Sequence, residues 1–150
     1  MSIKLIAIGN RLMGDDGAAI IAAGKIKATL IDRGIEVIIG ETDVDFCLGV
    51  INDNDFVFIL DSTQYGISPG SISLIPLKDH KSYGKPSYSQ HEISLIKALN
   101  IYKPHVMGYI IGIEAAVIEF NLNLSSQIDS RLNSISTKII EVIDNVLNKL

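Results

Sequence analysis

Two adjacent carboxylates, Asp15 and Asp16, sit in the stretch Gly9-Asn10-Arg11-Leu12-Met13-Gly14-Asp15-Asp16-Gly17, between an apolar run and a long helical pattern. A strand handing over to a helix is where α/β proteins place their chemistry. Glycine-rich turns at such a point usually greet a phosphate, because backbone N–H groups approach the anion at the helix N-terminus. Two negative side chains would repel a phosphate and suit a cation, and the positive end of the following helix suits their charge. The loop therefore reads as a metal or proton site. Asp15 is also a good helix N-cap, the preferred reading for it, and Asp15→Asn should then keep the cap.

Two further residues join this pair. Asp61 ends the apolar run Phe56-Val57-Phe58-Ile59-Leu60, and His91 falls in Ser89-Gln90-His91-Glu92, an S-x-x-E capping box opening a mid-chain helix. In doubly wound sheets the ends of the first and third strands commonly lie side by side, so Asp16 and Asp61 should face one crevice that His91 reaches from a helix start. Two carboxylates and an imidazole, with positions left open, suit Zn, Ni or a similar ion. Each residue also has a plainer reading: Asp16 as a first-turn acid, Asp61 as a turn-capping acid, His91 as a solvated histidine. His80 lies in a polar, Lys-containing stretch that could help dock a protein, and His105 lies at a strand entry away from the crevice. Glu114 is expected in a loop hydrogen bond. Glu119 carries little weight, and the Gly40-Glu41-Thr42 turn is left outside the site.

The elements that must position these residues alternate. Ile3 to Ile8 reads as a buried strand, followed by a helix from about Asp15 to Asp32 with Gly34 as its stop. Glu36 to Ile39 is a second strand closed by Gly40, and a short helix contains Phe46, Leu48 and Val50. After the strand that delivers Asp61, only about nine residues precede the strand pattern Ser71 to Leu77, whereas a parallel crossover needs roughly a dozen. That strand is predicted to be antiparallel. A strand over Val106 to Ile113 and a last helix capped by Ser125 or Ser126, with Ile128, Leu132, Ile135, Ile139, Val142 and Val146 on one face, complete the pattern. The expected fold is α/β, a three-layer α/β/α sandwich with a twisted, mostly parallel sheet carrying one antiparallel strand, in a single domain over residues 1–150.

Composition narrows the partners. With 150 residues and 47% hydrophobic content the chain can bury one sizeable core. A net charge of -4 and a pI near 5.3, with no Lys/Arg cluster, argue against nucleic acid. The apolar start is too short for a signal core or a membrane span, so a cytoplasmic protein without membrane insertion is expected. Cys47, alone, permits no internal disulfide and reads as buried packing.

The string Gly9-Asn10-x-Leu12-x-Gly14-Asp15-Asp16-Gly17 closely resembles the N-terminal signature of the hydrogenase maturation proteases, endopeptidases that process nickel-iron hydrogenase large subunits. Asp61, His91 and Gly112-Ile113-Glu114 leading to Leu124-Ser125 extend the resemblance over most of the chain. One departure is Ala18-Ala19, where family members more often have a larger aliphatic residue and then glycine or alanine. The resemblance implies an endopeptidase of the nickel-dependent aspartate/metallo type. It would remove the C-terminal extension of a large-subunit precursor after nickel insertion, with Asp16, Asp61 and His91 as catalytic and metal-binding residues. The metal would be nickel, either held by the protease or supplied by the substrate, with zinc or another divalent ion able to substitute. In one version it polarises the scissile carbonyl and activates water; in the other it is cargo that the protease recognises, which adds specificity. No Ser/His/Asp, Cys/His or H-E-x-x-H signature is visible.

The rival reading is a receiver-like, phosphoryl-accepting signalling domain using Asp15, Asp16 and Asp61 around Mg²⁺. The short connection after Asp61 and the lack of a Lys after the last strand pattern count against it. A dinucleotide-binding domain would need G-x-G-x-x-G, which is absent.

Overall fold

In the computed structural model, which describes residues 1–78 and 90–150, the sheet forms from five strands: β1 (Ile3–Ile8), β2 (Ile35–Glu41), β3 (Phe56–Thr63), β4 (Ile72–Pro76) and β5 (Met107–Glu114). Their order is β2-β1-β3-β5-β4. All neighbours are parallel except β4, which runs antiparallel to β5, as the short link predicts. That link carries no helix, so the chain does not take the receiver topology.

Alternation along the strands divides the apolar residues between two cores. Leu5, Ala7, Phe56, Phe58 and Leu60 pack under α1 (Ala18–Asp32) and α5 (Leu132–Leu147). Ile6, Ile8, Val57 and Ile59 pack under α2 (Val44–Val50) and α3 (Gln90–Tyr102). Successive strand residues face opposite sides, so one run of β-branched and aromatic residues feeds both layers. The result is the three-layer sandwich expected. Cys47 is buried in the α2/α3 core, and burial pushes its thiol up to about 11, leaving it inert as a nucleophile.

Boundaries shift where polar side chains intervene. The first helix begins at Ala18 instead of Asp15, preceded by a 3₁₀ turn over Gly14–Gly17. Asp15 caps nothing, because its carboxylate is drawn to the far end of the chain. The last helix is broken: α4 (Ser126–Asp129), capped by Ser125, is separated from α5 by Ser130 and Arg131. β3 runs to Thr63, so Asp61 lies inside the strand, opposite Gly112 of β5. Among the described residues, no helix is long and apolar enough to cross a membrane.

Candidate functional site

The site is built where β1 and β3 end side by side. Gly9 closes β1 with φ +143, and a Cβ there would fall 2.1 Å from the carbonyl oxygen of Asp16, so only glycine lets the loop fold back so closely. Gly14, at φ +58, opens the 3₁₀ turn that carries both acids. Folded this way, the Asn10 N–H donates to Asp16 Oδ2 at 2.9 Å and the Ser62 hydroxyl donates to Oδ1 at 2.5 Å. Asp16 is half-buried and orientationally fixed.

Strand alternation sends neighbouring residues of β3 to opposite layers. Ser62 meets Asp16 on the α1 side, while Asp61 meets Glu92 of α3. Asp61 is fully buried and accepts the Ser62 N–H at 2.8 Å, so Ser62 touches both acids: one through its hydroxyl, the other through its amide. Glu92 is also fully buried. Desolvation first, then the charge of Asp61 and a hydrogen bond with it, push the Glu92 carboxyl up to about 10. Glu92 therefore holds a proton at neutral pH and donates it to Asp61.

The expected trio is thus partly assembled. Asp16 and Asp61 come together through Ser62. His91 lies half-buried in the first turn of α3, next in sequence to Glu92. Among the described residues, no three His, Cys, Asp or Glu side chains are grouped so as to hold a metal ion. Glu92 is buried against Asp61; the capping-box reading rests on Ser89, which, like His80, lies outside the described residues. Glu92 shares a helical face with Leu95, Ile96 and Leu99, at three-, four- and seven-residue spacing, and that stripe was the available signal that it points inward. Ser62 carried no signal beyond following Asp61.

Asp15 is a structural receptor. Fully buried, it accepts the N–H groups of Ala116 and Val117 and the Ser125 hydroxyl on Oδ2, and the Ser125 N–H on Oδ1, at 2.8 to 2.9 Å. Glu114 plays the expected loop role, accepting from the Thr63 hydroxyl and from the N–H groups of Tyr65 and Gly66. His105 pairs with Asp53 at 2.6 Å, beyond the opposite end of β5 from the site. The Gly40-Glu41-Thr42 turn does adjoin the site. Glu41 and Thr42 line a cleft of about 300 Å³ with Gly9, Asn10, Arg11 and Leu12, and an exposed Arg11–Glu41 ion pair of 2.7 Å crosses it.

Fold and site together define an α/β protein with two acids held through Ser62 at the carboxyl ends of its parallel strands. Comparison with known proteins narrows this class. A model of the hydrogenase maturation proteases matches residues 20–142, a span that contains Asp61 and His91 and starts just after Asp16. A curated Methanocaldococcus jannaschii protein described as a putative hydrogenase maturation protease is 22% identical over 151 residues, covering 98% of this chain and 97% of the relative. In fold, the chain is similar to the E. coli hydrogenase maturating endopeptidase HybD, with a TM-score of 0.77 at 15% identity over 97% of this chain and 94% of that one. It is also similar to the nickel-iron hydrogenase maturation protease HybD of Thermococcus kodakarensis, with a TM-score of 0.71 at 23% identity over 95% and 99% of the two chains. The chain belongs to the hydrogenase maturation protease family, and its activity class is that of a protease.

Proposed function

We propose that this protein is the endopeptidase that removes the C-terminal extension from the large-subunit precursor of a nickel-iron hydrogenase, and that it recognises nickel already inserted there through Asp16, Asp61 and His91. The observation that carries the proposal is the orientation of Asp16. Its two oxygens are aimed by donors from two different strands' ends, Asn10 and Ser62, beside a cleft of about 300 Å³, with Asp61 joined to it through the Ser62 amide. Each Asp16 oxygen accepts one of these bonds and keeps a lone pair for a cation.

The donor chemistry fits. Carboxylates with an imidazole suit nickel, and zinc or another divalent ion can take the same donors. The proton on Glu92 leaves Asp61 as the charged member of that pair, and a carboxylate in its charged form suits a cation. Nickel here is part of the substrate, so contact with it links docking to cargo status. A coupling of about 3 kcal/mol would separate loaded from empty precursor by more than a hundredfold.

The test presents chelator-treated protease with nickel-loaded and nickel-free precursor from the same organism, reading the product by mass. The loaded form alone should be shortened. Efficient processing of the nickel-free form would defeat the recognition role, and rescue of empty precursor by metal added to the protease would favour a resident catalytic metal.

A further inference from the structure

We propose that an exposed apolar ledge formed by Leu12, Val117, Phe120 and Leu122 holds an apolar stretch of the precursor polypeptide beside the bond to be cut. This rests on the endopeptidase reading and adds a surface that selects the substrate. Large apolar side chains are scattered singly on most surfaces, but four gathered at the mouth of a site mark an interaction surface. Phe120 is 78% exposed, Leu122 70%, Leu12 51% and Val117 41%.

The ledge is built from two segments distant in sequence. The Asn121 N–H donates to the Leu12 carbonyl at 2.9 Å, the Gly14 N–H donates to the Asn121 carbonyl at 2.9 Å, and Met13 and Asn121 form a parallel bridge. These bonds bring the exposed Leu12, Phe120 and Leu122 together, and the Asp15 N–H, donating to the Val117 carbonyl at 3.0 Å, holds Val117 against the same turn. The segment from Ala116 to Ser125 is fastened to the acid next to Asp16 by the four bonds to Asp15. The ledge and Asp16 therefore hold a fixed relation.

Continuity with the cleft identifies the occupant. Leu12 lines the cleft whose Asn10 N–H orients Asp16, so a chain lying there continues over Leu12 onto Phe120 and Leu122. A second copy of this chain is a poorer match. A stable dimer needs roughly 800 Å² from each partner, far more than four side chains supply, whereas an extended segment needs only a few apolar anchors.

The test compares steady-state processing of nickel-loaded precursor by wild type, a Phe120→Ser/Leu122→Ser double variant and a Glu119→Gln control in the same loop. The double variant should raise KM by at least about tenfold, leave kcat within roughly twofold and keep the wild-type Tm, because the lost side chains are exposed anchors for substrate. Added salt should not abolish the difference. Glu119→Gln should behave as wild type. An unchanged KM in the double variant, with wild type active, would overturn the ledge alone. Self-association that the double variant abolishes would assign the ledge to a second copy and also overturn it. A wild type that neither binds nor cuts the precursor would overturn the endopeptidase reading, and the ledge with it.

Discussion

Replacing Asp15 by Asn tests the architecture of the site most sharply, because the two roles open to this residue give opposite results. As a helix N-cap, Asn is as good as Asp and the change would cost almost nothing. As the buried receptor of four donors, Asp15 cannot be replaced isosterically. The better amide orientation places the oxygen at Oδ2, where three donors converge, and turns the NH₂ toward the Ser125 N–H, setting two donors against each other with no water between. One hydrogen bond to a charged group is lost, at about 1.5–3 kcal/mol, and the other three weaken. Non-additivity within one cluster holds the sum to about 2–4 kcal/mol. For a chain of this size that lowers Tm by roughly 5–15 °C. Urea unfolding should show the midpoint shifted with the slope unchanged. A variant within about 0.5 kcal/mol of wild type would refute the fastening of residues 116–125 by Asp15.

Four further outcomes are expected. Ser62→Ala removes the hydroxyl that aims Asp16, so processing should slow by roughly 10- to 100-fold with little change in Tm, and wild-type turnover would show that Asp16 needs no such guide. Glu92 has a folded-state value near 10, above its ordinary 4.5, so the native state keeps a proton that the unfolded chain releases; its contribution is complete below pH 4.5 and lost as pH rises toward 10. Glu92→Gln should therefore flatten stability against pH, by up to about 3 kcal/mol between pH 4.5 and about 7, and parallel profiles by urea titration would contradict it. Asp16→Ala, Asp61→Ala and His91→Ala should each weaken retention of nickel-loaded precursor by more than the roughly 10- to 100-fold typical of indirect changes; equal retention by all three would remove them from the site. Gly9→Ala should unfold the loop around Asp16, seen as lost activity with lowered Tm, since its Cβ would meet the Asp16 carbonyl at 2.1 Å.

The sheet was legible because its signals are periodic and redundant. Apolar runs, glycine stops and one link too short for a helix fix the strand directions, and the antiparallel β4 follows from chain length alone. The approach of the Asp16 loop to the end of β3 was legible for the same reason, since it depends on strand order. The identity of each side chain's partner was not. Asp15 looks like a cap in any local window, and its true partners lie about a hundred residues away in a loop whose backbone donors leave no trace in residue type. The burial of Glu92 against Asp61 was readable only from the helical stripe of Leu95, Ile96 and Leu99, against which the local capping-box motif competes.

The paired acids turn to different partners from one short motif. A 3₁₀ turn advances about a third of a circle per residue, so consecutive side chains diverge strongly. Asp15 points into the protein and spends both oxygens on the 116–125 loop; Asp16 is held by Asn10 and Ser62. A regular α-helix starting at Asp15, as the sequence suggests, would have left Asp15 capping its own helix and free of the distant loop. The tighter turn instead couples the start of the chain to the segment after β5. Strength in the first acid thus secures direction in the second: a carboxylate aimed at one defined point gains from a neighbour that has no other freedom left.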